Sequence, residues 1–325
     1  MVSKLLKGVI PAIAIAVLAV SFWFVSRGLQ TAPIEVRINE NALHLGILGD
    51  SAIDEYQGTD HRGGDYHRTT FNWLEHLVIN GKVYAGTWGD WGEPRRVGYE
   101  YNWARSAATP DSLIAEGQHT GLAEQVAAGQ IDVVFLSVGG IEFAPYREDY
   151  LRIYDGRLSG DALQQKIDGI IADITLAVDT VQTGKAVPVL LATLGNYNYS
   201  PLVQQDSRFA DADKRQRVTD AINATNAALA ELAASRENVI LVDQDLLLKY
   251  LLDNFQDGHL LVGGEAVNFY SIGDEPHNGI LGDGIHPGTV IAGVMANFYI
   301  DYLNQAFDPD IDPLTDEEIL ALAGL

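Results

Sequence analysis

Apolar residues in this chain fall into short unbroken runs, separated by longer stretches in which they recur every three or four positions. Leu43 to Leu48, Ile131 to Val138, Val187 to Leu194 and Val239 to Val242 have the length and composition of buried strands. Pro188 sits near the start of its run, where a missing N–H is tolerated. Helices are predicted between them. Phe71, Trp73, Leu74, Leu77 and Val78 mark a short amphipathic one, and residues 121–129 another. Leu163, Ile167, Ile170, Ile171, Ile174, Val178 and Val181 keep a 3.6-residue period, with Ser159 or Asp161 available as its cap. Residues 210–235 carry Val218, Ile222, Leu229 and Leu232 on one face, 246–252 also coil, and an apolar helix runs from Val290 to Leu303. Strands alternating with helices mean βαβ units and a parallel sheet covered on both faces.

Three stretches do not follow this alternation. Residues 256–282 read as a glycine-rich insertion with a hairpin around Val262-Gly263-Gly264. Thr315 with Glu318 forms a capping box that opens a short last helix. Asp308, Asp310 and Asp312 have the spacing of a calcium loop, but Pro313 in its sixth position and Ile319 in its twelfth exclude an EF-hand. The third stretch is residues 8–25, which carry no charge, with Lys4 and Lys7 before them and Arg27 after. Eighteen residues at a helical rise span roughly 27 Å, enough for a bilayer core, and the flanking lysines favour a cytoplasmic start. No clean small-x-small cleavage site follows, so an uncleaved anchor is preferred to a signal peptide. The expected organisation is an anchor or signal segment at 1–28, a linker at 29–40, one α/β domain at 41–306 and a tail with a short helix at 307–325. The bulk of the chain is expected outside the cytoplasm, either anchored or secreted.

Composition narrows the chemistry. None of the 325 residues is cysteine, which removes disulfides, thiolate metal sites, a cysteine nucleophile and a lipoprotein anchor. A formal charge of −23 argues against a nucleic-acid partner, which requires a basic footprint. Asp60, His61, Asp65 and His67 lie in a polar loop whose spacing matches no closed metal pattern, so the loop is read as solvated and no metal is expected. Tyr84, Trp88, Trp91, Tyr99, Tyr101 and Trp103 form a ring-rich segment. Core packing is its preferred reading, with sugar stacking as the alternative.

The candidate chemistry begins at Gly49-Asp50-Ser51, where the first strand breaks. A serine there presents its hydroxyl at the carboxyl edge of the sheet, where open α/β folds bind ligands. Its backbone N–H is unspent because the chain is only beginning to coil. A serine hydroxyl needs a base, and the base must be oriented. Asp283 and His286, three apart in the turn before the last long helix, can supply both. His44, His76 and His119 sit in a strand, in a helix and away from any acidic turn, respectively.

These residues, with Asp54, Asn102-Trp103-Ala104-Arg105-Ser106-Ala107-Ala108-Thr109, Gly139-Gly140-Ile141-Glu142 and Asp283-Gly284-Ile285-His286-Pro287, resemble in order the conserved blocks of the GDSL or SGNH hydrolases, over about residues 41–305. The resemblance implies a flavodoxin-like three-layer α/β/α sandwich and ester hydrolysis without cofactor or metal. Ser51 would be the nucleophile, His286 the base and Asp283 its partner. The backbone N–H groups of Ser51 and Ala107 would hold the oxyanion. Two positions depart from the pattern: Ala107 replaces the usual glycine, and Ile141 the usual asparagine donor. Asn196, after another strand end, is a candidate replacement for that donor. The expected substrate is a small-molecule or glycan ester, an acetyl ester of a carbohydrate or a short-chain lipid ester among them. Acyl transfer to a glycan outside the membrane and an inactive glycan-binding module are the alternatives.

Overall fold

The computed structural model describes residues 36–307 and 310–325, so the apolar segment at 8–25, most of the linker and Asp308 lie outside the described residues. Five strands, β1 (Leu43–Gly49), β2 (Val83–Tyr84), β5 (Val133–Ser137), β6 (Val189–Ala192) and β7 (Val239–Val242), form a parallel sheet in the order β2-β1-β5-β6-β7. Counted within the sheet this is the flavodoxin-like order, 2-1-3-4-5. The short β3 (Trp88–Asp90) and β4 (Val97–Tyr99) pair with each other beside it.

The helices are α1 (Trp73–Ile79), α2 (Pro110–Ala115), α3 (Gln118–Ala127), α4 (Glu148–Tyr154), α5 (Gly160–Val181), α6 (Pro201–Gln204), α7 (Ala212–Ala234), α8 (Gln244–Asp253), α9 (Thr289–Phe307) and α10 (Asp316–Ala323). Strand side chains alternate between two cores, as a period of two requires. Leu45, Ile47, Val133, Phe135, Leu190 and Ala192 face α1, α8, α9 and α10. Leu48, Val134, Leu136, Val189 and Leu191 face α2, α3, α4, α5 and α7. Both faces are dry, which is why these strands read as continuous apolar runs.

Residues 255–280 build a four-stranded sheet from β8 (Phe255–Gln256), β9 (His259–Val262), β10 (Glu265–Ile272) and β11 (Asn278–Ile280). Val262 pairs with Glu265 across Gly263-Gly264, so the hairpin lies where the glycines place it. Thr315 and Glu318 exchange hydrogen bonds of 3.0 and 3.1 Å as a capping box, and Ile319 of the helix it starts is buried in the α9 core. Ser159 stands at the N-cap of α5, but its side chain makes no capping bond there. Tyr84, Tyr99 and Tyr101 are buried, and the Arg95 guanidinium lies over Trp91 and Trp103, at 4.8 and 4.5 Å. Packing thus accounts for most of the ring-rich segment, and Trp88 alone of these rings is exposed.

The start of α1 holds the loop that follows Ser51. Asn72 caps the helix by accepting from the Glu75 N–H, and its amide donates to the carbonyls of Ile53 (3.2 Å) and Asp54 (3.0 Å). The buried Glu75 carboxylate accepts the backbone N–H groups of Asn72 (2.8 Å), Tyr56 (3.1 Å) and Gln57 (3.0 Å). Glu75→Ala would leave three interior donors unpaired, and urea unfolding should show a loss of about 3 kcal/mol or more. A loss below about 1 kcal/mol would mean the loop is held by other contacts.

Candidate active site

Parallel pairing sets the position of Ser51. The carboxyl end of β1 is bonded on one side to β5, with Gly49 opposite Ser137 and the Asp50 N–H donating to the Ser137 carbonyl at 3.3 Å. On the other side the chain at 101–105 runs along β1: Ile47 N–H donates to Tyr101, Trp103 to Ile47 and Arg105 to Gly49. Gly49 is required by this closeness, because a Cβ there would lie 2.6 Å from the Ser137 carbonyl oxygen. The same pairing carries Ser106 and Ala107 up beside the Ser51 turn.

Asp283 and His286 arrive from the opposite end of the chain. Asp283 Oδ1 accepts the N–H groups of Ile285 (2.9 Å) and His286 (3.0 Å), and Gly284 takes the left-handed conformation (φ 77°) that this tight turn needs. Its other oxygen, Oδ2, lies 2.6 Å from His286 Nδ1, and His286 Nε2 lies 2.8 Å from Ser51 Oγ. One tautomer satisfies both contacts: Nδ1–H donates to Asp283, and Nε2 accepts the serine proton. Burial works against the charge on Asp283, but the His286 bond and its charge together with the two N–H donors prevail and hold its pKa well below the usual carboxylate range. The Tyr56 ring meets the imidazole edge-on at 5.9 Å.

The backbone N–H groups of Ser51 and Ala107 have no hydrogen-bond acceptor among the described residues, so both are available to a ligand oxygen. Ala107 has φ 69°, a conformation that favours glycine and strains alanine by roughly 1–2 kcal/mol. Ile141 is buried in a single 3-10 turn at Gly140–Phe143 and supplies no side-chain donor. Asn196 lines the cavity described next, but its amide is held within its own wall: Nδ2 donates to Thr219 Oγ1 (3.1 Å) and the oxygen accepts the Asn198 N–H (3.0 Å).

Sequence reasoning missed two features. The first is Arg62, in the loop read as solvated. It turns inward: one guanidinium nitrogen lies 3.0 Å from both Asp283 Oδ2 and His286 Nδ1, and the other 3.0 Å from Asp60 Oδ2 and from Ser106 Oγ. Its charge sits 5.5 Å from the centre of the Tyr56 ring. An arginine in a polar glycine-bearing loop carries no periodic signal. The second is a cavity of about 280 Å³ whose lining includes Asp50 and Ala52, the chain neighbours of Ser51, with Gly140 and Pro287. In the same loop as Arg62, the rings of His61 and His67 meet edge to face, with centroids 5.0 Å apart. Among the described residues no group of three or more acidic or histidine side chains is arranged to hold a metal ion, and no helix is long and apolar enough to cross a membrane.

No family model and no curated protein matches the chain. Solved structures do. A lipase, Lip_vut3, from a goat rumen metagenome is 14% identical with a TM-score of 0.47, covering 83% of this chain and 100% of its own. A carbohydrate esterase of family 3 from Talaromyces cellulolyticus is 15% identical with a TM-score of 0.41, covering 81% and 99%. An acetyl esterase variant holding an acetate ion is also 15% identical, with a TM-score of 0.40, covering 81% and 97%. At such distances the chemistry has to be read from the site's own geometry.

Burial raises the Asp50 carboxyl to about 6, against the Ala52 N–H and the His286 charge, which favour its ionised form. The folded state therefore holds this proton more tightly than the unfolded chain. The contribution is full below the unfolded value of 3.8 and is lost as pH rises through about 6. Urea unfolding at pH 4 and pH 7 should show a smaller decline in Asp50→Asn than in the parent protein, by up to roughly 3 kcal/mol at about 1.4 kcal/mol per unit. Equal declines would show that Asp50 is not the group that titrates.

Proposed function

We propose that the protein is a serine ester hydrolase that works through an acyl-enzyme on Ser51. One observation carries this reading: the unbroken contact from Asp283 Oδ2 through both nitrogens of His286 to Ser51 Oγ, at 2.6 and 2.8 Å. Ser51 Oγ attacks the ester carbonyl while His286 Nε2 takes its proton, and Asp283 holds the imidazolium in place. The N–H groups of Ser51 and Ala107 receive the developing oxyanion. His286 then protonates the departing alkoxide, and water, deprotonated by the same nitrogen, cleaves the acyl-enzyme. A side-chain oxyanion donor is worth on the order of 10²–10³ in rate, so Ile141 implies a slower enzyme than a site with asparagine there.

Arg62 is a positioning residue in this scheme. Because Nδ1–H is donated to Asp283, the guanidinium cannot donate into that nitrogen. Its bond goes to the shared Asp283 oxygen and fixes the carboxylate from outside, while Asp60 offsets its charge. Ser106 Oγ ties the same group to the segment that presents Ala107. The uncharged run at 8–25 supports an extracytoplasmic setting for the reaction.

Ser51→Ala should lower kcat on a p-nitrophenyl ester by at least about 10⁴-fold and abolish labelling by a fluorophosphonate, which reacts readily only with an activated serine. Unchanged turnover in that variant would eliminate the nucleophile assignment. Arg62→Ala should lower kcat about tenfold by loosening Asp283, with KM nearly unchanged, and Arg62→Lys should recover part of the loss. A pure KM effect would instead make Arg62 a substrate contact.

A further inference from the structure

The cavity beside Ser51 has walls that indicate what it is built to hold. Its lining comes from the Ser51 turn, from the carboxyl ends of β5, β6 and β7 and from α8 and α9, with Leu247, Leu248, Leu251, Ile291 and Met295 among its apolar residues. The wall is mostly apolar, and several of its polar side chains are paired within the protein, the hydroxyls of Tyr56, Ser137, Tyr197 and Tyr199 and the Asp245 carboxylate being exceptions among the described residues. The Thr193 hydroxyl accepts the Gln244 N–H at 2.9 Å, the Gln244 amide meets the Tyr299 hydroxyl at 3.3 Å, and the Asn72 amide is bonded to the carbonyls of Ile53 and Asp54. The rings at 84–103, the candidate sugar platform, do not line the cavity. A glycan entering here would give up its water against a wall that is mostly apolar, whereas a hydrocarbon chain would lose nothing.

We infer that this cavity is an acyl-chain pocket, and that the substrates are esters of straight-chain carboxylic acids of medium length rather than acetyl esters of carbohydrates. The inference rests on the reading of Ser51 as nucleophile and assigns the acyl side of that same site. At about 280 Å³ the space is nearly twice an apolar cavity of about 150 Å³ that holds a six-carbon benzene ring, which sets an upper limit of roughly eleven carbons. Asp50 and Ala52, on either side of Ser51, line the cavity together with Gly140, and a Cβ on Gly140 would meet no atom within 4 Å. The space beside Gly140 is therefore open. Ala292 and Met295, one turn apart on α9, also line the cavity.

The test is a series of p-nitrophenyl esters from acetyl to hexadecanoyl with the full protein. The expected kcat/KM climbs by at most about fourfold per methylene, peaks at or below about eleven carbons and falls by sixteen. Ala292→Phe and Met295→Trp each put a larger side chain into the cavity wall. Each should cut the decanoyl-to-acetyl ratio of kcat/KM by at least tenfold, and two independent fillers guard against one that fails to fold. Decanoate titrated calorimetrically into Ser51→Ala should bind, and should lose affinity when either filler is added. A ratio that is flat or falls from acetyl onward, or that both fillers leave unchanged, overturns the inference while leaving ester hydrolysis intact. Failure of the underlying reading looks different: Ser51→Ala would then cleave every length as well as the parent protein.

Discussion

β1 is bonded along both of its edges, first by β2 and then by the chain at 101–105 on one side, and by β5 on the other. Its side chains enter the two apolar cores alternately, so it can neither slide nor rotate without burying the wrong face. That constraint places the Ser51 turn at the carboxyl edge of the sheet and sets the neighbouring backbone donors around it. The imidazole needs only to reach this fixed point, and a turn of six residues before α9 suffices. The cluster of Ser51, His286 and Asp283 is thus positioned mostly by backbone pairing.

The loop that follows Ser51 is held by buried acids. Glu75 binds three N–H groups, Glu55 accepts the Tyr99 N–H at 2.8 Å, and Asp54 accepts the Ser106 N–H at 2.6 Å. Burial raises the pKa of each, Glu75 to about 7, because the backbone dipoles only partly replace water. Neighbouring carboxylates also raise one another, so the loop trades stability at higher pH for rigidity close to the reacting atoms. Arg62 is the cation that this acidic surround draws inward.

Patterned features were legible from sequence. β5, β6 and β7, the long helices α5, α7 and α9, the hairpin at Gly263-Gly264 and the Thr315–Glu318 box all lie within a few residues of their signals, because period and capping chemistry are local. Serine, histidine and aspartate could be singled out because a turn after a strand and a turn before a helix are recognisable in a linear chain. Ser159 shows the limit: it stands at the N-cap, but whether its hydroxyl caps depends on a rotamer the sequence does not state.

By itself, then, the chain's alternation of apolar runs and helical periods determined the α/β sandwich, and its turn residues determined which side chains stand at strand and helix ends. Only the tertiary structure decided that Arg62 faces Asp283 and His286, that Ala107 takes a left-handed conformation, that Asn196 is bound into its own wall and that a mostly apolar cavity is lined by the neighbours of Ser51. The reason is physical. Secondary structure follows from interactions a few residues apart, whereas the direction of a loop side chain and the space between packed layers depend on contacts more than two hundred residues apart, such as Arg62 with Asp283.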